Sequence, residues 1–360
     1  MENSGGDSNL YRTFLIKRNA VCVLKNFTID WQPMQWNLAI LSQYLSGQNA
    51  SVKVGAPYSG DLVPKESDCT LEQWDLGELC TFLKSYSNDK QFYYAGYAHI
   101  MTFNTINKSF LSFDWSWAGL SSTDANKSTL WIGSKGSFTP CHKDSYGCNL
   151  HAQIIGRKEW LLWPPNCDLG ATRVPYEESS TFTNVDVLQK PWIDMAVRIV
   201  VQPGQVLFIP KHWWHLARNQ ETSVSINTWI ELECDAVDRL RESVTRLLVC
   251  TVKSKEQDED WVNPGEDLST YSENVSYLKQ SLSLLKEKAA PAGKPNTINY
   301  YTAEKKAGVG IKFQSLSVPQ CSSIATKPKV PENIVDTLLN SIVADDVVLD
   351  RIVAKLLESS

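Results

Sequence analysis

Up to Glu233 the chain is dominated by short segments in which apolar and polar residues alternate; beyond it the apolar spacing becomes helical. Ala20-Val-Cys-Val-Leu24 reads as a buried strand, and Trp36, Leu38, Leu41 and Leu45 stand at the spacing of an amphipathic helix. Ser51-Val-Lys-Val54 predicts a short strand, and Thr70-Leu-Glu-Gln matches a capping box opening a helix through Leu83. Gln91 to Ile100 alternates like a strand that could line a barrel, and Leu130-Trp-Ile begins another sheet. Ile154-Ile-Gly156-Arg157-Lys158 predicts a hairpin turn, as does Pro203-Gly204 between Arg198-Ile-Val-Val-Gln and Val206-Leu-Phe-Ile209. Val224 to Ile230 alternates again. Residues 166–195 carry few strand signals and read as a long irregular connection, the kind that often serves as a lid.

After Glu233, Val237, Leu240, Val244, Leu247 and Leu248 mark one amphipathic helix, and Tyr277, Leu278, Leu282 and Leu285 a second. A third stripe follows Pro331 and includes Ile334, Leu338, Ile342, Val348, Ile352 and Leu356. The expected organisation is a frayed or disordered N-terminus at 1–17 and a β-barrel with its N-terminal lead-in at 18–233. Helices at 234–288 would pack on the barrel or across the axis of a homodimer. Residues 289–331, rich in Lys, Pro, Ser and Gly, would form a linker, and 332–360 a terminal helical segment that docks a partner.

A chain of 360 residues holds one large domain plus an appendage, and 13 tryptophans suit an aromatic-lined barrel. The net charge of −5 argues against a broad phosphate-binding surface, so a nucleic-acid partner is not expected. Nine scattered cysteines without a Cys-x-x-Cys pair, and no evident signal peptide, predict reduced thiols and a cytoplasmic location, with the nucleus as a second compartment. No apolar run approaches the roughly 18 residues of a membrane span.

The candidate chemistry lies between Trp131 and Pro165, centred on His142-Lys143-Asp144. On a strand, residues i and i+2 share a face, so this spacing aims one imidazole and one carboxylate at the same point. Two histidines and one carboxylate form the facial set of non-haem Fe(II) oxygenases, so a second histidine must come from a distant strand. His212 and His215 compete for that place. His215 fits better, because Pro210 should end the incoming strand while His215 opens the next apolar segment. A rival set for structural zinc is Cys141, His142, Cys148 and His151, although neighbours on a strand such as Cys141 and His142 face opposite ways.

Trp131 to Pro165, with Pro203-Gly204-Gln205 through His215, resembles the JmjC/cupin-like oxygenases that depend on Fe(II) and 2-oxoglutarate. The similarity lies nearest the branch holding the asparaginyl hydroxylase of hypoxia-inducible factor. Thr139-Pro-Cys-His-Lys-Asp-Ser-Tyr-Gly-Cys-Asn149, Pro175-Tyr-Glu-Glu-Ser-Ser180 and Val224-Ser-Ile-Asn-Thr-Trp-Ile-Glu-Leu232 also resemble a JmjC relative named for association with a small heat-shock protein.

The resemblance implies a mainly β fold, a double-stranded β-helix (jelly-roll, cupin) with flanking helices. It implies Fe(II) on His142, Asp144 and His215, with 2-oxoglutarate and O2 as cosubstrates. It carries Lys158 and Thr139 over as contacts of the far carboxylate of 2-oxoglutarate, with Arg157 as the alternative cation. It places Asn149 and Asn227 at the iron-bound end, and Tyr93 in the pocket, where Tyr94 and Tyr97 compete for the role. His151 departs from the apolar residues of relatives and reads either as a packed core histidine or as a group that touches substrate.

The implied activity is hydroxylation of a protein side chain. Lysine demethylation and hydroxylation of a tRNA base are competing activities. The rival of another class is a weakly catalytic or non-catalytic scaffold that binds a small heat-shock protein in the stress response.

Overall fold

The computed structural model describes residues 5–58, 65, 68–103, 110, 113–121, 127–253, 261–263, 268–289 and 334–358. Two antiparallel sheets face each other. The larger has eight strands in the order β1-β12-β7-β14-β5-β4-β2-β3, and the smaller six in the order β11-β8-β13-β6-β10-β9. Strands β1 (Cys22–Lys25), β2 (Asn49–Gly55), β3 (Thr70–Asp75), β4 (Phe92–His99) and β5 (Thr129–Gly133) lead in. The barrel proper continues through β6 (Phe138–Asp144), β7 (Cys148–Ile155), β8 (Lys158–Trp163), β9 (Ala171–Glu177), β10 (Ser180–Thr183), β11 (Val197–Val201), β12 (Gln205–Ile209), β13 (Trp214–Asn219) and β14 (Ser223–Ile230).

Strand alternation explains how the residues divide. On β7, Leu150, Ala152 and Ile154 join the core on the outer face of the large sheet, while Asn149 and His151 line the cavity between the sheets. That outer core is completed by α2 (Leu38–Tyr44), through Leu41, and α3 (Leu76–Leu83), through Leu76 and Leu79. One end of the space between the sheets is plugged by an apolar cluster of Trp160, Leu162, Leu207 and Ile209, with Val197 and Trp213. The other end opens as the cavity. The β7–β8 hairpin turns at Gly156, whose φ of +68° and close approach to the Thr222 carbonyl, 2.2 Å from where a Cβ would stand, admit only glycine.

Several expectations change. Of the N-terminus expected to be frayed at 1–17, residues 5–17 belong instead to helix α1 (Gly5–Arg18). Leu15 is buried with Phe14 and Ile16 against the large-sheet core, and Arg12 donates to the Glu231 carbonyl at 2.7 Å. Thr70 does not open a helix. Thr70–Asp75 pairs with residues 49–54 of β2, and Asp75 is the cap, accepting from the Glu78 amide at 3.0 Å. The stretch 166–195 is not a loose lid. Its β9–β10 hairpin extends the small sheet, and Cys167, Leu169, Val187 and Trp192 pack on that sheet's outer face.

Helices α4 (Asp235–Val252) and α5 (Tyr271–Ala289) pack together after the barrel, through Leu240 and Val244 against Leu278, Leu282 and Leu285. The linker expected at 289–331 lies, apart from its first residue, outside the described residues. Beyond it, α6 (Ile334–Val343) and α7 (Asp346–Glu358) do not form a separable docking element. Leu339 and Val343 bury against Tyr176, Val249 and Trp261, and Leu349 and Val353 against Leu240 and Val244. Asn340 accepts from the Arg173 amide at 2.8 Å, and Arg241 pairs with Asp350. Leu339, Val343, Leu349 and Val353 thus find cover within the chain, which removes them from water, while Leu338 and Val347 stay exposed. Among the described residues no helix is long and apolar enough to cross a membrane.

Candidate metal centre

His142 and Asp144 stand on β6, and His215 on β13, directly across the ladder from His142. Their donor atoms lie within 4.8 Å of one another, the only such set of His, Cys, Asp or Glu among the described residues. His142 Nε2 is 3.5 Å and His215 Nε2 4.0 Å from Asp144 Oδ1. Each histidine is turned by its own strand: His142 Nδ1 bonds the Pro140 carbonyl at 2.8 Å and His215 Nδ1 the Trp213 carbonyl at 2.9 Å. An Nδ1–H donating to a carbonyl leaves Nε2 with its lone pair free, the tautomer a metal ligand needs. Trp229 Nε1 donates to Asp144 Oδ2 at 3.0 Å and leaves Oδ1 facing the two imidazoles. This donor set, two imidazoles and a carboxylate on one side, suits ferrous iron.

The electrostatics fit that use. Burial pushes His215 down to about 4, and the neighbouring His142 adds to the effect. Burial alone would raise the Asp144 carboxyl, but its contact with His142, then with His215, and the Trp229 N–H hold it below the usual carboxylate range. The centre therefore presents an anionic carboxylate and a neutral His215. At His142, by contrast, the effect of burial is outweighed by Asp144 and the Pro140 carbonyl, which raise the imidazole, so a metal competes with a proton there.

A cavity of about 630 Å3 opens over the triad. Deep in it lies Lys158, 2 % exposed, with Nζ 3.0 Å from Ser225 Oγ and 3.4 Å from the Tyr94 hydroxyl. No carboxylate pairs with it among the described residues, and burial lowers its ammonium to about 7. A buried ammonium without a counter-ion is a site for an anion. Thr139 bonds Tyr94 at the same wall. Asn227 donates to Asn149 at 3.3 Å and accepts from Trp131 Nε1 at 2.8 Å, so both amides are held in fixed orientation on the cavity wall. Glu177, facing Ser180 across β9–β10 as Ser180 faces Asp144, also lines the cavity and accepts from the Tyr97 hydroxyl at 2.9 Å.

His142, Asp144, His215, Thr139, Lys158, Asn149 and Asn227 are thus brought to one cavity. Tyr93 is not: it packs outside among Trp74, Phe82 and Tyr86, because alternation along β4 turns Tyr94 inward in its place. His212 adopts a φ of +63° and bonds the Ser145 carbonyl, away from the triad. Arg157 is half-exposed and pairs with Glu221 at 2.7 Å, which leaves Lys158 as the buried cation. The zinc set does not assemble, since Cys141 and Cys148 lie buried in separate apolar clusters. His151 lines the cavity edge-on to Trp160, ring centres 4.7 Å apart, and burial, followed by the Lys158 charge, drives it well below the usual imidazole range. Ser225 and Trp229 went unread, yet they share with Asn227 the even spacing of one strand face.

A family model described as a cupin-like domain matches residues 8–236. The chain is 39% identical over 282 residues to HSPB1-associated protein 1 of Rattus norvegicus, covering 71% of this chain and 59% of that protein. It therefore spans under two thirds of that relative's length. Over shorter stretches it is 33% identical to the 2-oxoglutarate and iron-dependent oxygenase JMJD4 of Gallus gallus, across 28% of this chain and 26% of that one. It is 28% identical to the bifunctional peptidase and (3S)-lysyl hydroxylase JMJD7 of Homo sapiens, across 29% of this chain and 42% of that one.

Proposed function

Since the chain belongs to the cupin-like JmjC family, we propose that it is an Fe(II)- and 2-oxoglutarate-dependent oxygenase that hydroxylates a protein side chain. The observation that carries this reading is the pairing, in one cavity, of the His142–Asp144–His215 set with the unpaired buried ammonium of Lys158. Two features of one dianionic cosubstrate are matched: a chelating end for a metal and a far carboxylate for a cation. A relative named as a 2-oxoglutarate and iron-dependent oxygenase supports the same reading.

When bound, ferrous iron with 2-oxoglutarate supplies the oxygen activation that converts a substrate C–H to C–OH. The protein's own residues prepare for it. His142, Asp144 and His215 would hold the ion on one side and leave the cavity side open. Lys158, with Thr139 and Tyr94, would take the far carboxylate, the arriving anion favouring the protonated form of the amine. The Trp131–Asn227–Asn149 chain holds two amides rigid beside the chelating end, and the apolar plug around Trp160 and Leu207 keeps water from entering behind. The mouth, with Tyr97, Glu177, Tyr146 and Arg239, remains for a peptide side chain.

The test is succinate formation from 2-oxoglutarate by the Fe(II)-loaded protein, screened against a peptide library with mass detection of added oxygen. Failure of the loaded wild-type protein to bind 2-oxoglutarate would remove the reading. A second role, binding a small heat-shock protein, is favoured by one finding: relatives matched over 282 and 283 residues are named for association with HSPB1. Pull-down of purified HSPB1 by wild-type and His142→Ala proteins alike would make that role independent of catalysis.

A further inference from the structure

His151 is the one histidine of the cavity wall that neither the metal nor the fold employs. It sits on β7 between Asn149 and Gln153, opposite Asn227 on β14 and Leu207 on β12. The polar groups beside it on the cavity wall are engaged, Asn149 with Asn227, Asn227 with Trp131 and Lys158 with Ser225, while behind the ring Gln153 Oε1 and Trp160 Nε1 are buried without a partner. The His151 ring, 3 % exposed, has its Nε2 buried without any hydrogen-bond partner. A buried polar nitrogen left unpaired destabilises the protein that contains it, whereas an apolar group of the same shape would not. Its neighbours along the cavity are Lys158 and Trp160 on β8 and His215 on β13.

We propose that His151 is a cosubstrate-binding residue, its imidazole donating to the carboxylate of the dicarboxylate that Lys158 pairs with. This rests on the oxygenase reading above. A carboxylate offers about four acceptor positions, more than Lys158, Tyr94 and Thr139 fill, so an added N–H finds an acceptor there. The edge of the ring that lines the cavity meets an acceptor only when the dianion is present.

The test is titration of 2-oxoglutarate into the Mn(II)-loaded protein by calorimetry, alongside thermal unfolding of the free protein. His151→Phe keeps the edge-on contact with Trp160 and removes the nitrogens, and His151→Gln restores a donor. The expected result for His151→Phe is an affinity about tenfold weaker and a Tm in the free state equal to or above that of wild type. His151→Gln should recover most of the affinity. If His151→Phe overpacks and fails to fold, His151→Leu carries the same comparison. Unchanged affinity in the apolar variant, with Lys158→Met weakened, overturns the role of His151 and leaves the cosubstrate reading standing. Unchanged affinity in both overturns both. A lower Tm in the apolar and Gln variants with unchanged affinity makes His151 a packing residue and ends the proposal.

Discussion

At the scale of residues, the site is a set of charges whose environment has prepared them for partners. His142→Ala removes one of three ligands and should abolish metal-dependent turnover of 2-oxoglutarate, while His212→Ala, whose ring bonds only the Ser145 carbonyl, should retain it. Turnover assays on the two variants check this, and the reverse pattern would displace His215 from the third position. Lys158 gives a pH signature. Its ammonium is lowered from 10.5 to about 7 by burial. In the free protein the unfolded chain therefore binds a proton that the folded one lacks between those values, and folded stability should rise with pH across that window. Binding a dianion needs the charged form, so affinity should fall by up to about tenfold per pH unit above 7, with proton uptake on binding. Calorimetry at pH 8 in buffers of differing ionisation enthalpy measures that uptake; none would mean that Lys158 is already charged or does not meet the anion. Lys158→Met should weaken binding by roughly ten- to a hundredfold, from the about 1.5–3 kcal/mol of a charged hydrogen bond.

At the scale of elements, β6 and β13 make the centre and α4 braces the strands behind it. Arg173 on β9 and Glu242 on α4 form a buried pair at 2.8 Å, and Tyr176 donates to the same carboxylate at 2.9 Å. Burial would raise Glu242, but Arg173 outweighs it and holds the carboxyl below its usual range. Glu242→Ala leaves Arg173 charged and unpaired in the interior, with an expected cost of about 3–5 kcal/mol in urea unfolding. Leu349→Ala tests the docking of α7 in the same way. Leu349 is buried against α4, so a loss of about 2–5 kcal/mol is expected, whereas a helix that only awaits a partner would lose almost nothing.

At the scale of the whole molecule, the ligand and the fold are linked by mass action. Mn(II) with 2-oxoglutarate at a hundred times its Kd should stabilise the protein by about 2.7 kcal/mol, read as a rise in Tm. The His142→Ala protein should lose the metal-dependent part of that rise. An equal rise in both would place the metal elsewhere.

Local order was legible because it is written in local order. The period of two along β6, β7 and β14 placed His142 with Asp144, and Asn149 beside His151, on shared faces, and Gly156 marked its turn. The same alternation, had its phase been known, would have separated Tyr94 from Tyr93; phase depends on which face meets the opposite sheet, and residues near in sequence do not record that. The cap at Asp75 in place of Thr70 was likewise decided by pairing with β2, a tertiary contact that overrode a local signal. The helical stripes after Glu233 announced that they must be covered but not by what. Only the folded chain shows α6 and α7 closing over α4, and only it shows Lys158 without a counter-ion and His151 without a partner. Sequence determined which residues could share a face; tertiary structure decided which faces meet, because burial and pairing are properties of the groups brought together across the barrel.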